Sequence, residues 1–349
     1  MRTDGSCTKE EYSTVNKLGL ITAGLLCAAT QGAFAVDSSD YPQLKKLYRT
    51  VAAESSYTEK QLESLFANVE LQPRIIEIME RPAESLPWYK YRKIFLTGKN
   101  ITNGATFWRQ NANTLKRAEE EYGVPAEIIV ATIGVETRYG TNTGGYKVIE
   151  ALSTLGLDYP RRSKFFMKEL QHFLLLSQEH KLDPLDVSGS YAGAIGYPQF
   201  MPSSYRSYAI DFDGSGQSDL YNSMEDAIGS VANYYSRHRW KMGQPVGVPV
   251  ELVKDSANKM VTKGLKANKT VGKLKKSGVR IDVDVASKTP AALLKLEGKT
   301  GPEYRMVFKN FFVITRYNTS QLYAMAIQLL SEKIREQYQG GECVQSDLC

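Results

Sequence analysis

Histidine and cysteine are scarce in this 349-residue chain. The three histidines, His172, His180 and His238, do not stand at metal-ligand spacing from a cysteine or from one another, which argues against a zinc site. No dinucleotide loop is present. Gly189, Gly193 and Gly196 have the wrong spacing, and no strand pattern precedes them. Ser190 is not the central residue of a G-x-S-x-G elbow, so a serine hydrolase is disfavoured. The apolar run Leu18 to Ala29 is too short to span a bilayer as a mature helix. No motif for nucleic-acid recognition accompanies the net charge of +6, and nucleic acid is not an expected partner.

The chain is rich in apolar residues (42%) and in tyrosine (21 residues), enough for a large core with two or three structural units. Tyrosine joins an apolar face to a polar tip, which suits stacking on sugar rings as well as half-buried packing. Residues 1–35 read as an export signal. Lys17 precedes the apolar run, and Ala33-Phe34-Ala35 is a small-x-small cleavage site. Leu25-Leu26-Cys27 resembles a lipoprotein box with a bulky Leu26 where a small residue is wanted, so cleavage after Ala35 is expected over lipidation of Cys27. Export places the protein in the periplasm, and lipidation would make it an outer-membrane lipoprotein. Cys7 and Cys27 leave with the leader. Cys343 and Cys349 remain, an even pair able to close a disulfide in an oxidising compartment.

The pattern turns on Pro125 to Gly140. Gly123 breaks the preceding helix, Pro125 suits a first helical turn, and Ile128, Ile129, Ile133 and Val135 make a buried helix. Gly140 is its expected stop. One carboxylate, Glu136, ends the apolar stretch. Burial raises a carboxyl pKa, which is how a Glu is kept protonated to act as a general acid near neutral pH. A structural ion pair with Arg138 is the plainer alternative.

Helical periodicity also marks Tyr41 to Ala53, Thr58 to Val69, a proline-opened helix from Pro73, Gly104 to Glu121, Val148 to Leu155, Ser163 to His180, Ala227 to Trp240 and Ser320 to Tyr338. Trp88 to Arg92 is aromatic and basic, and packing at a helix junction explains it as well as a sugar-binding wall does. Ser188 to Tyr205 interleaves small residues with Ser190, Tyr191, Tyr197, Gln199 and Phe200. The mixture suits a narrow carbohydrate groove, and equally close helix packing.

Asp211 to Asn222 reads as a calcium loop of EF-hand type. Oxygen ligands Asp211, Asp213 and Ser215 hold positions 1, 3 and 5, Gly216 the turn, and Gln217 the backbone-carbonyl position. Asn222 stands where a bidentate Glu is usual. Glu225 or Asp226 supplies that carboxylate if the loop is longer, while Ser223 to Asp226 also reads as a capping box. From Lys241 the texture becomes strand-like: Val246 to Val253, Arg280 to Val285, Ala292 to Leu296 and Tyr304 to Phe308. Eight lysines lie between 254 and 276, a solvated face by default and an attraction for an anionic polymer on the sharper reading.

Four ordered motifs carry a resemblance: Gly134-Val-Glu-Thr-Arg-Tyr-Gly140, the run Gly189 to Ser204, Asp226-Ala-Ile-Gly-Ser-Val-Ala-Asn-Tyr234, and Thr315-Arg-Tyr-Asn318. Together they closely resemble the lytic murein transglycosylases of the B type (glycoside hydrolase family 103), over residues 40 to 335. The resemblance implies an α+β, mainly α fold: a lysozyme-like helical core, a surrounding helical domain and a small antiparallel β domain. The corresponding divisions are a signal peptide (1–35), an N-terminal helical domain (36–100), a catalytic core with the EF-hand-like loop (101–240), a β domain (241–312), a closing helical segment (313–340) and a tail (341–349). It also implies cleavage of the β-1,4 bond between N-acetylmuramic acid and N-acetylglucosamine in peptidoglycan strands, with 1,6-anhydromuramoyl products, by a monomer. By motif position Glu136 is the acid/base. Ser190, Gln199, Tyr234, Tyr317, Asn318 and Tyr323 line the groove, with Tyr91 beside them. Asp211, Asp213, Ser215, Gln217 and Asp226 hold a structural calcium. A second carboxylate is not evident; Asp158 and Asp186 are the nearest candidates. Its absence argues against the rival hydrolytic muramidase, and the intact Glu136 motif against a non-catalytic peptidoglycan-binding protein.

Overall fold

The computed structural model describes Val36 and residues 38–340. The expected export signal with Cys7 and Cys27, and the expected Cys343–Cys349 pair, lie outside the described residues.

Fourteen α-helices and eight short strands make up the described part, a mainly helical α+β fold. The helices begin with α1 (Gln43–Glu54), α2 (Glu59–Phe66), α3 (Pro73–Met79), α4 (Trp88–Phe95), α5 (Gly98–Gln110), α6 (Ala112–Tyr122) and α7 (Ala126–Thr137). They continue with α8 (Val148–Asp158), α9 (Ser163–Glu179), α10 (Pro202–Tyr208) and α11 (Met224–Arg237). The last three are α12 (Val271–Lys276), α13 (Lys309–Tyr317) and α14 (Gln321–Tyr338).

The helix α7 is apolar all round, with nine of its twelve residues buried. Ile129, Ile133 and their neighbours pack among α5, α6, α11 and α14. Each such buried aliphatic side chain contributes about 1.5–3 kcal/mol. Glu119 of α6 accepts the Ala126 N–H at 3.1 Å, satisfying an orphan donor at the start of α7. Glu127 pairs with Arg335 of α14 at 2.9 Å. The end departs from expectation. Arg138, not Gly140, closes the helix in the left-handed conformation (φ 50°), followed by Tyr139 at φ 62°. The N–H of Tyr139 donates to Ile133 O and that of Arg138 to Gly134 O, so the turn is closed by backbone bonds. The Tyr139 ring folds back over Gly134, where any Cβ would come within 2.6 Å of it. Its hydroxyl donates to Asn100 O at 2.8 Å. Two consecutive non-glycine residues in this region hold strain that the packed ring offsets.

The single helix expected over Gly104 to Glu121 is two. Asn111 (φ −115°, ψ 24°) leaves the helical basin between α5 and α6, and its side chain caps back onto Phe107 O. Periodicity carries across such a break because both pieces bury the same face.

The strands β1 (Tyr146–Lys147) and β2 (Ser188–Gly189) form a two-residue antiparallel pair. The others are β3 (Gly247–Pro249), β4 (Glu251–Leu252), β5 (Lys269–Thr270), β6 (Val279–Arg280), β7 (Pro290–Glu297) and β8 (Pro302–Val307). Four of these form a sheet in the order β3-β8-β7-β5, with β7 and β8 an antiparallel hairpin; β4 pairs with β6. Residues of β7 alternate between two cores: Ala292, Leu294 and Leu296 pack on the helical body, Ala291 and Leu293 on a smaller cluster with Val271, Leu274 and Phe308. Two expectations fail here. Val246 to Val253 divides at Val250 into β3 and β4, which pair with different strands. Arg280 to Val285 yields only β6, because beyond Arg280 no neighbouring edge offers backbone partners and Val283 stays exposed. All of the eight lysines but Lys269 are exposed, and none belongs to an ion pair among the described residues.

Candidate active site

Glu136 stands at the end of α7, half-buried, on the wall shared by two cavities. One, of about 600 Å3, is lined among others by Glu84, Ser190, Gln199, Tyr234, Tyr317 and Asn318. The other, of about 630 Å3, is lined by Phe95, Lys99, Asn100, Arg138 and Asn142. Tyr323 donates its hydroxyl to Glu136 Oε1 at 2.5 Å. It is set there by the start of α14, where Ser320 Oγ accepts the Tyr323 N–H at 3.2 Å. Burial pushes the Glu136 carboxyl up to about 7; the Tyr323 hydrogen bond opposes the rise and the negative charge of Glu84 adds to it. A carboxyl of this kind holds its proton near neutrality and can release it, as a general acid must.

The other expected groove residues fall into two groups. Ser190, Gln199, Tyr234, Tyr317 and Asn318 line the cavity. Tyr91 and Tyr323 are buried behind it. Tyr234 donates its hydroxyl to Arg316 O at 2.6 Å and Tyr317 donates to Pro198 O at 2.5 Å. These tyrosines therefore tie α11, α13 and the 190s loop together and present ring faces. Their centroids lie 4.9 Å apart, with Phe200 against both. Gln199 takes φ 51° and donates from Nε2 to Thr143 O and Gly196 O, pinning the glycine-rich loop after α7. Ser190 Oγ accepts the N–H groups of Ala192 and Ala194, fixing its own tight turn. The sequence reading missed Glu84, which lies in a non-periodic Pro82 to Pro87 linker and carried no pattern to find it by. Asp158 and Asp186 are not in either cavity beside Glu136. Asp186 pairs with Lys147 at 3.3 Å.

The acidic loop is a separate centre. Carboxylate oxygens of Asp211, Asp213 and Asp226 lie within 4.8 Å of one another. Asp226 is fully buried at the start of α11 and accepts the N–H groups of Phe212 (2.7 Å), Asp213 (3.0 Å) and Asp219 (2.7 Å). Ser223 Oγ caps α11 and also donates to Asp213 Oδ2 at 2.6 Å. With the Ser215 bonds it holds the Asp213 carboxyl below its ordinary range. Asn222 is drawn to Asp219 and Glu225 to Arg117, away from the triad. The Gln217 side chain donates to Glu179 O, and its carbonyl accepts from Ser215 Oγ at 3.2 Å, so Gln217 offers the loop a backbone oxygen. Three carboxylates, a hydroxyl and a carbonyl are a hard-oxygen donor set that fits calcium.

The sequence profile described as the transglycosylase SLT domain matches residues 39–332. The chain belongs to the transglycosylase SLT family. Membrane-bound lytic murein transglycosylase B of Escherichia coli (strain K12) is 37% identical over 308 residues, covering 85% of this chain and 84% of that protein. The crystal structure of the soluble lytic transglycosylase SltB1 from Pseudomonas aeruginosa superposes with a TM-score of 0.80 at 45% identity, over 86% of this chain and 100% of that one. The Escherichia coli lytic transglycosylase Slt35, solved in complex with calcium, gives a TM-score of 0.80 at 36% identity, over 88% and 97%. The helical body is thus the lysozyme-like fold of the SLT transglycosylases. No helix among the described residues is long and apolar enough to cross a membrane.

Proposed function

We propose that this SLT-family enzyme cleaves the β-1,4 bond between N-acetylmuramic acid and N-acetylglucosamine in peptidoglycan, with Glu136 as the only acid/base. The observation that carries the reading is the half-buried Glu136, its carboxyl raised to about 7, on the wall of two cavities of about 600 and 630 Å3. Glu136 gives its proton to the glycosidic oxygen as the C1–O bond breaks and the electron pair leaves with that oxygen. The substrate's 2-acetamido oxygen bonds to C1 and takes up the positive charge. The Glu136 carboxylate, held by the Tyr323 hydroxyl, then removes the proton of the muramoyl 6-hydroxyl. O6 bonds to C1, the acetamido oxygen departs, and a 1,6-anhydro ring forms without water. Ordinary glycosidases set two carboxylates for acid and base or nucleophile work; here the substrate supplies the second group. Ser190, Gln199 and Asn318 contact the sugar's polar edges, and the Tyr234 and Tyr317 rings its faces.

Asp211, Asp213 and Asp226, with Ser215 and the Gln217 carbonyl, would hold a calcium ion, which would brace this loop against the start of α11. Cleavage of the leader after Ala35 releases the enzyme into the periplasm. The test is mass spectrometry of peptidoglycan digested by the purified protein and by Glu136→Gln. Products one water lighter than hydrolytic fragments, absent with the variant, support the reading. Reducing ends from the wild type would make it a muramidase.

A further inference from the structure

Glu84 belongs to the turn Ala83–Ser85 between α3 and α4, flanked by Pro82 and Pro87. It lines the same cavity as Glu136. Asn318, just past α13, donates from Nδ2 to its Oε1 at 3.4 Å. The buried Tyr91 of α4 lies near it: burial and then the Glu84 charge push that phenol up. Glu169 lines this cavity too, but it is 3% exposed and both its oxygens are engaged, by the N–H (2.9 Å) and the hydroxyl (2.7 Å) of Ser203. Of the two other carboxylates lining the cavity with Glu136, Glu169 is therefore spent on structure, while Glu84 is only half-buried.

We propose that Glu84 is a positioning residue for the reaction, an anion on the wall of the same cleft that keeps the proton on Glu136 until the glycosidic oxygen is in place. The inference rests on the reading of Glu136 as acid/base. A negative charge facing a carboxyl disfavours its ionised form, and the effect is strong where protein replaces water. The same repulsion acts again after the C1–O bond breaks. Glu136 is then the second anion in the cleft, and a proton from the 6-hydroxyl relieves it. The remaining groups around Glu136 do not replace this charge. Tyr323 of α14 donates to Glu136 and favours its ionised form; Tyr317 of α13, Tyr235 of α11 and Tyr91 of α4 are neutral phenols whose own ionisation Glu136 opposes. The cations lining the cavities, Arg162 and Arg316 in one and Lys99 and Arg138 in the other, would favour ionisation.

The test is a carbon-13 NMR titration of Glu136 in the intact protein, its signal assigned by its loss in Glu136→Gln, together with the pH dependence of kcat/KM. In Glu84→Gln the Glu136 midpoint moves to lower pH and Glu84→Asp restores it. The alkaline limb of kcat/KM moves the same way, so that activity falls a few-fold above about pH 7 and holds below about pH 6, with anhydro products unchanged. A midpoint and limb that stay in place overturn the proposal. So does selective loss of reducing-end products in Glu84→Gln, which would make Glu84 a base for water. The midpoint reads the coupling of the two carboxylates whether or not glycan is cut, so failure of the transglycosylase reading shows separately, in the wild-type products.

Discussion

The Tyr323 hydroxyl reaches Glu136 Oε1 at 2.5 Å from 187 residues further along the chain. A donor to a carboxylate favours the ionised form, so this bond works against the burial that keeps Glu136 protonated. Tyr323→Phe therefore raises the Glu136 pKa above about 7 and carries the alkaline limb of kcat/KM to higher pH, opposite in sign to Glu84→Gln. The carboxylate formed after protonation of the leaving oxygen loses a charge-assisted hydrogen bond worth about 1.5–3 kcal/mol, so kcat falls roughly ten- to a hundredfold. A pH–rate series on soluble glycan fragments reads both effects. An unmoved limb would mean that the bond does not tune the acid.

Glu136 also makes stability depend on pH. Its folded pKa of about 7 lies above the ordinary 4.5. Between those values the native chain holds a proton that the unfolded chain has released. Its contribution is fully present below about pH 4.5 and is lost as pH rises to about 7, by a total on the order of 3 kcal/mol. Glu136→Gln cannot titrate. Urea unfolding should show the variant gaining on the wild type by that amount between about pH 4 and about pH 8. A constant difference across the range would refute the raised carboxyl.

The acidic loop separates two carboxylates by burial. Asp211 is exposed, while Asp226 is buried and receives three backbone N–H bonds. Asp211→Ala should abolish the calcium heat in calorimetry and leave melting in EDTA nearly unchanged. Asp226→Ala should abolish the same heat and also lower stability in EDTA by about 3 kcal/mol, because buried donors lose their acceptor. Equal melting of Asp226→Ala and wild type in EDTA would reduce Asp226 to a ligand alone.

Much of this arrangement was legible in the chain because it is written locally. The helix α7 is announced by Gly123, Pro125 and the apolar Ile128, Ile129, Ile133 and Val135, and α14 by Ser320, whose capping bond sets Tyr323. The breaks were less legible. Asn111 leaves the helix while apolar spacing runs on, and the alternation in Arg280 to Val285 had no edge to join. Gly140 looked like the helix stop because glycine tolerates a positive φ; the chain instead uses Arg138 and Tyr139, held by the space over Gly134, a tertiary condition that spacing does not record. Glu84 was invisible for the same reason. Its meaning lies in a cavity shared with a residue fifty-two positions away, and the linker that carries it has no period.

The placement of Glu136 in the last turn of α7 bears on the return of its proton. Aligned peptide dipoles leave about half a negative charge at a helix C-terminus. The acid thus stands where the backbone itself repels an anion. On the proposed mechanism, this helix end disfavours a standing carboxylate once Glu136 has given up its proton, and so favours the proton's return from the 6-hydroxyl.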